Sequence, residues 1–164
     1  MKITSAQAAK LLRQLNDEYS NISVNERNSR EFNAAVGEDI EELRPEYDYA
    51  ETQCRLDGLN AKIRKLKHTI NLFNASTEVP GFGMTIDEVL VYIPQLSGRR
   101  SKLYQMMSVL PRRRNEREYK NIIDYIYANY DIAKVKADYD EVSETLARVQ
   151  TALDLVNSTA TMEL

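Results

Sequence analysis

Two long apolar seams constrain the fold of this chain more than any other feature. In residues 45–75, and again in residues 131–157, apolar side chains recur at the alternating three- and four-residue spacing of a heptad. The first seam consists of Tyr49, Leu56, Leu59, Ile63, Leu66, Ile70 and Phe73, and the second of Ile132, Val135, Tyr139, Val142, Leu146, Val149, Leu153 and Val156. A helix over residues 45–74 would be about 45 Å long and cannot bury its stripe alone. We therefore predict a mainly α fold, an antiparallel helical bundle with coiled-coil-like packing.

Two shorter helices complete the predicted bundle. Residues 4–19 carry apolar side chains at helical spacing behind a Thr and a Ser that can cap a helix. Residues 85–110 begin at Thr85 and Glu88, whose spacing fits a capping box. Pro94 lies inside this third helix, where its missing N–H either kinks or splits the helix.

A small two-stranded β element is predicted beside the helices. Residues 20–28 contain Ile22 and Val24 in alternation with polar residues, and residues 119–129 are rich in Tyr and Ile. Both patterns favour extended structure, and we predict that the two segments pair. The pairing can occur within one chain or between chains.

Composition predicts one cytoplasmic domain covering residues 1–164. Charged residues make up 29% of the chain, with only five Gly and four Pro, a mixture typical of long solvated helices. A lone cysteine, Cys54, cannot form an intramolecular disulfide. No window approaches 18 uncharged apolar residues and the N-terminus lacks a long apolar run, so we expect neither a membrane span nor a signal peptide.

The stretch around Gly81 and Gly83 raises the question of a phosphate-binding loop. A Lys-Ser/Thr pair does not follow the second glycine, and Asp87 and Glu88 place negative charge in the first turn of the next helix. These acids would repel a phosphate and can satisfy the helix end themselves. We predict a structural corner between two helices.

The residues that commonly support catalysis do not form a recognisable constellation. His68 and Cys54 would lie about 21 Å apart on one helix, too far to share a metal. Four acids on the last helix, Asp138, Asp140, Glu141 and Glu144, fall mainly off the seam and fit a solvated face. We therefore predict a non-enzymatic protein with no metal and no cofactor.

Charge is strongly segregated along the chain. Residues 38–51 carry seven acids and one Arg, whereas residues 99–120 carry eight bases and two acids. The eight basic candidates for partner contact are Arg99, Arg100, Lys102, Arg112, Arg113, Arg114, Arg117 and Lys120.

Two hypotheses for the basic segment remain open. It can meet the acidic segment of its own chain or of a neighbour, which favours a self-associating structural or interaction protein, a dimer or larger. Alternatively it binds the phosphates of a nucleic acid, with Tyr104 or Tyr119 stacking on bases. The pI near 5.3 favours the first hypothesis, because dedicated nucleic-acid binders are usually basic as a whole.

Residues 70–90, I-N-L-F-N-A-S-T-E-V-P-G-F-G-M-T-I-D-E-V-L, resemble the central segment of a small family of bacterial and phage-borne proteins without established function, some of them labelled septicolysin. Asp131, which we predict as the N-cap of the last helix, also fits that family, and residues 157–164 are similar to its Asn-Trp-Thr-Thr-Glu-Leu terminus. The chain departs from the family in having no Trp. The resemblance implies a helical, coiled-coil-like fold and no particular chemistry.

Overall fold

The computed structural model describes residues 2–115 and 123–164 and is mainly α. The helices in these residues are α1 (Ser5–Ser29), α2 (Ile40–Leu43), α3 (Tyr49–Ser76), α4 (Ile86–Met107) and α5 (Ile132–Thr159). The strands are β1 (Lys2–Thr4), β2 (Glu78–Val79), β3 (Met84–Thr85), β4 (Arg112–Arg114), β5 (Tyr125–Tyr127) and β6 (Thr161–Glu163). They form three antiparallel pairs, β1 with β6, β2 with β3 and β4 with β5. The predicted fold class, mainly α with small β elements, is confirmed.

One compact unit consists of Met1–Asn74 and Asn157–Leu164. In the β1–β6 pair, Ile3 lies opposite Met162, and both side chains are buried. They pack with Ala8 of α1 and Leu66 of α3 in one apolar cluster. The strands at the two ends of the chain therefore complete the core that α1 and α3 begin.

The other compact unit consists of Ala75–Val156 and contains β2 to β5, α4 and most of α5. Its most deeply buried side chains are Val79, Ile86, Val89 and Val149, each at most 1% exposed. β2 and β3 form a short ribbon directly before α4, so Val79 and Ile86 enter this core from either side of the turn.

The predicted extended segment at residues 20–28 is wrong, because α1 continues to Ser29. Tyr19, Ile22 and Glu26 are half-buried at helical spacing, whereas Val24 is exposed, so the alternation of Ile22 with Val24 does not describe a strand face. The Ser23 hydroxyl donates to the Tyr19 carbonyl at 2.9 Å, which satisfies a polar group inside the helix.

The predicted pairing of residues 20–28 with residues 119–129 is therefore wrong as well. β5 is extended as expected, but it pairs with β4, which precedes it closely in sequence. A local partner closes a short loop at a smaller entropic cost than a distant one. Residues 119–122 of the predicted strand lie outside the described residues.

The helix boundaries differ from the predicted ones by a few residues. α3 begins at Tyr49, after Pro45, because Asp48 caps it by accepting from the Glu51 N–H at 2.9 Å. α4 begins at Ile86, one residue after the predicted start, and ends at Met107, short of residue 110. Pro94 does not split it, since α4 is one continuous helix through this position.

The predicted caps of the other helices are confirmed. Thr4 caps α1 and exchanges hydrogen bonds with Gln7, and Thr85 caps α4 in the predicted capping box with Glu88. The Asp131 carboxylate accepts from the Ala133 N–H at 2.8 Å at the start of α5. These side chains satisfy N–H groups that have no partner within their helices.

Both heptad seams are largely covered within a single chain. Four members of the α3 seam and six of the α5 seam are buried: Leu56, Leu59, Ile63, Leu66, Val135, Val142, Leu146, Val149, Leu153 and Val156. Tyr49, at the start of the first seam, is 68% exposed. A second copy is therefore not needed to bury the seams, and any reason for self-association must come from elsewhere on the surface. Among the described residues no helix is long and apolar enough to cross a membrane.

Candidate interaction surface

The three consecutive arginines of the predicted basic segment form strand β4 of a β-hairpin. The register pairs Arg112 with Tyr127, Arg113 with Ile126 and Arg114 with Tyr125. Two backbone bonds extend the ladder beyond the strands, from the Asn115 N–H to the Asp124 carbonyl and from the Ala128 N–H to the Pro111 carbonyl, each 3.0 Å. The Asn115 amide also donates to the Asp124 carboxylate at 3.1 Å. The hairpin is thus closed on both sides of its strands.

One face of the hairpin combines two arginines with two tyrosines. Arg112 and Arg114 share this face with Tyr125 and Tyr127, because directly opposed residues of an antiparallel pair point the same way. The Arg112 guanidinium lies 4.8 Å from the centroid of the Tyr125 ring, in cation–π geometry. The Tyr125 and Tyr127 rings are 6.4 Å apart. This face offers cationic and aromatic groups side by side.

The hairpin and the residues before it leave many apolar side chains in water. All residues of both strands are exposed. The exposed large hydrophobic residues here are Val109, Leu110, Ile123, Tyr125, Ile126 and Tyr127. We define the basic hairpin as residues 109–115 and 123–127. Exposed apolar side chains close in sequence to exposed charges are a common feature of interaction sites.

The remaining predicted contact residues are distributed over α4 and beyond. Arg99, Arg100 and Lys102 are exposed on the C-terminal half of α4. The pKa of Lys134 is raised mainly because Asp138 accepts a hydrogen bond from it at 2.8 Å, and the positive charge of Arg99 acts weakly in the opposite direction.

No described contact joins the three α4 residues to the basic hairpin. The predicted residues Arg117 and Lys120 lie outside the described part of the chain.

The acidic segment, which we define as residues 36–51, also combines charge with exposed apolar side chains. Its exposed large hydrophobic residues are Val36, Ile40, Leu43 and Tyr49. It contains α2, which Asp39 caps by accepting from the Glu41 N–H at 2.9 Å. Arg44, the one base of the segment, donates two hydrogen bonds to Glu41 at 2.9 and 2.7 Å and lies 5.4 Å from the Phe32 ring. These hydrogen bonds lower the pKa of Glu41.

The acidic segment borders a cavity of about 530 Å³. Its lining includes Ile22, Asn25, Glu26, Ser29, Glu46, Tyr47, Asp48, Glu51, Thr52 and Arg55. The Glu26 carboxylate accepts from the Tyr47 hydroxyl at 2.9 Å and from the Gln53 amide at 2.7 Å. The pKa of Tyr47 is raised, mainly by partial burial and to a smaller extent by this hydrogen bond to Glu26. Glu26 thus fixes the segment before α3 against α1.

The sequence alone did not indicate this cavity. It forms because α1 continues past residue 19 and places Ile22 and Glu26 beside the start of α3. The only sequence signal was the helical spacing of Tyr19, Ile22 and Glu26, which the apparent alternation at residues 22–24 masked.

A smaller cavity of about 350 Å³ is mainly apolar. Leu11, Leu15, Leu66 and Leu164 line it, together with Lys62 and Lys65. Leu66 is also part of the apolar cluster around Ile3 and Met162. This cavity is a gap at the margin of the core.

The glycine-containing stretch forms a corner, as predicted. Gly81 and Gly83 have φ angles of +84° and +61°, and β2 and β3 pair on either side of them. The Glu88 carboxylate accepts from the Thr85 N–H at 2.7 Å, which lowers the pKa of Glu88. The Ile86 N–H donates to the Thr77 carbonyl at 2.9 Å. Protein groups therefore occupy the start of α4.

The other residues considered for chemistry lie on α3 and α5. Cys54 and His68 are both exposed on α3. On α5, Asp138 is bound by Lys134, while Asp140, Glu141 and Glu144 are exposed. Within residues 2–115 and 123–164 no cluster of His, Cys, Asp and Glu could hold a metal ion. The described residues thus bring charge and apolar surface together, and no group of chemically reactive side chains.

Comparison with known proteins adds a fold relationship. Neither a family model nor a curated protein matches the chain. A solved structure, described as a functionally unknown conserved protein from Corynebacterium diphtheriae, aligns with a TM-score of 0.65 at 18% identity, over 99% of this chain and 100% of the other. This likeness shows a shared fold alone, and the resemblance of residues 70–90 to the septicolysin-labelled family stays a prediction. The chain has the fold of a conserved bacterial protein whose role is not known.

Proposed function

We propose that the chain is a non-enzymatic interaction protein that self-associates through its acidic segment and its basic hairpin. The observation that carries this proposal concerns exposed apolar side chains. Of the 16 large hydrophobic residues exposed in the described part of the chain, ten lie in these two segments. The two segments carry opposite charge, so one chain offers both halves of a complementary contact.

The composition of the two segments supports a protein contact in particular. Tyr and Arg are enriched at the centres of protein interfaces, where aromatic rings supply buried area and guanidinium groups pair with carboxylates. The basic hairpin combines both residue types with Leu110, Ile123 and Ile126. Burying exposed aliphatic side chains against another apolar surface is favourable, and a partner protein provides such a surface.

Binding of single-stranded nucleic acid is a second candidate, favoured by one face of the hairpin. The Tyr125 and Tyr127 rings are 6.4 Å apart, about twice the 3.4 Å rise per nucleotide of a stacked strand. Each ring could thus receive its own base of an extended strand, while Arg112 and Arg114 meet phosphates. The exposed aliphatic residues and the pI near 5.3 favour the first candidate.

The proposed function is tested by the solution mass from light scattering after size exclusion, at low and high salt. We expect a mass above 18.9 kDa at low salt that decreases as salt screens the charges. Replacing Ile123 and Tyr127 by Ser should reduce the association. Replacing Leu90 and Val91 by Ser, which are also exposed but lie outside the two segments, should leave it unchanged. A wild-type protein that is monomeric at every salt concentration would contradict the proposal.

A further inference from the structure

We infer that the basic hairpin of one copy docks on the acidic segment of another copy, with an arginine side chain entering the cavity beside that segment. This inference rests on the proposed function and names the partner surface for each segment. It follows from the charges, the apolar residues and the cavity described above.

The charges of the two surfaces are opposite in sign, and their chemical groups are complementary. On the hairpin, Arg112, Arg113 and Arg114 are exposed, and Asp124 is the one carboxylate among its described residues. On the acidic segment, seven acids stand against Arg44. Planar guanidinium groups bind carboxylates through two parallel hydrogen bonds, which gives such a contact orientation as well as attraction.

The acidic segment already binds one guanidinium group in this manner. Arg44 donates two hydrogen bonds to Glu41 and lies 5.4 Å from the centre of the Phe32 ring. Other carboxylates of the segment, those of Glu42, Glu46 and Glu51, are exposed. The hairpin of a second copy would extend the same chemistry to these three.

The cavity beside the acidic segment gives the incoming hairpin a place to anchor. Its volume of about 530 Å³ lies within the range of about 300–1,000 Å³ for ligand pockets. Its lining carries four acids against one base, Arg55, together with apolar Ile22; the acids are Glu26, Glu46, Asp48 and Glu51. An arginine side chain suits this lining, because its aliphatic stem packs on apolar atoms while its head group meets carboxylates.

A contact of either surface with its own copy would oppose like charges. If two hairpins met, three arginines would face three arginines, and two acidic segments would bring acids against acids, which is unfavourable. A contact between the hairpin of one copy and the acidic segment of another avoids this. Two copies can make this contact reciprocally in a two-fold dimer, or many copies can make it head to tail in a chain or a ring.

The inference is tested with two variants, each of which lacks three charges on one of the two surfaces. The first is Arg112→Gln, Arg113→Gln, Arg114→Gln, and the second is Glu42→Gln, Glu46→Gln, Glu51→Gln. We expect each alone to associate about tenfold more weakly than wild type, since three exposed ion pairs are lost. Mixed in equal amounts, the two variants should form a dimer and nothing larger, because one intact contact remains for each pair of molecules.

Matched controls change the same charges elsewhere in the chain. The first control variant removes three exposed positive charges outside both surfaces: Lys10→Gln, Arg64→Gln and Lys67→Gln. The second removes three exposed negative charges outside both surfaces: Asp140→Asn, Glu141→Gln and Glu144→Gln. Both control variants should associate as wild type does.

Three results would overturn the inference. If wild type associates but the mixed variants remain as weakly associated as either alone, the basic hairpin of one copy does not bind the acidic segment of another, although the proposed self-association stands. Unchanged association of either single-surface variant would have the same meaning. If wild type is monomeric and binds a labelled single-stranded oligonucleotide only with its arginines intact, both proposals fail and the nucleic-acid candidate replaces them.

Discussion

Arg112 stacks on Tyr125, although the register of the hairpin places Arg112 opposite Tyr127. The contact is therefore diagonal across the two strands, within reach of long and aromatic side chains on one face of a sheet. It holds an arginine of the candidate surface in place before any partner binds. A side chain that is already ordered loses less conformational entropy on binding.

The pairing of Arg112 with Tyr125 should contribute measurably to the stability of the hairpin. We expect a coupling of about 0.5–1 kcal/mol, the range for exposed cation–π pairs, in a double-mutant cycle of Arg112→Gln and Tyr125→Leu. Hydrogen exchange of the Asn115 amide, which bonds across the hairpin, provides the measurement. The corresponding cycle with Arg113, on the other face, serves as control. Additive effects at Arg112 and Tyr125 would show that the stacking does not stabilise the hairpin.

Gly83→Ala should destabilise the protein, whereas Gly98→Ala should stabilise it. Gly83 has a φ of +61°, and a residue with a Cβ pays about 1–2 kcal/mol for this conformation. Gly98 lies inside α4, with nothing within 4 Å of an added Cβ, and Ala is favoured there by about 0.8–1 kcal/mol. Urea denaturation of both variants compares the two free energies of unfolding. Changes of the same sign would contradict the turn geometry.

Leu66→Ala should be strongly destabilising. Leu66 is 4% exposed and packs in the cluster that joins α1, α3 and the two terminal strands. Truncating a buried leucine costs about 2–5 kcal/mol. Val91→Ala, at a residue that is 58% exposed, is the matched control and should change stability by less than about 0.5 kcal/mol. Thermal melting provides the comparison, and similar melting temperatures for both variants would be evidence against the described core.

Glu88 should contribute to stability in a pH-dependent manner. Its hydrogen bonds from Thr85 lower the pKa of the carboxyl in the folded state below the ordinary value of 4.5. The contribution is therefore fully present above the unfolded-state pKa and is lost as the pH falls through the lower folded-state pKa. Glu88→Gln should be less stable than wild type at pH 7 and should approach it in acid. Denaturation at a series of pH values measures this, and a constant difference down to pH 3 would contradict the role of the ionised carboxylate.

The periodic parts of the fold were the most predictable from the sequence. Val142, Leu146 and Val149 recur at a spacing that only a helix presents on one side, and all three are buried. The helix caps at Thr85 and Asp131 were equally predictable from the sequence, because a cap depends on residues only a few positions apart.

Tertiary contacts decided the features that the sequence did not predict. Ile22 and Val24 suggest a strand by themselves, but the burial of Ile22 beside the start of α3 keeps this stretch helical. Of the candidate surface, the arginines were predicted as contacts from charge alone. Their place opposite Tyr125 and Tyr127 depends on a hairpin register that charge does not encode.

The pairing of β1 with β6 has a consequence for the order of folding. Residues 2–4 and 161–163 are separated by almost the whole chain, so their pairing must overcome a large loop-closure entropy. The unit containing α1 and α3 is completed by Met162, and all residues of the other unit are synthesised before that side chain leaves the ribosome. During translation, Ile3 and Leu66 must therefore wait for Met162, which is synthesised after every residue of the unit built from residues 75–156.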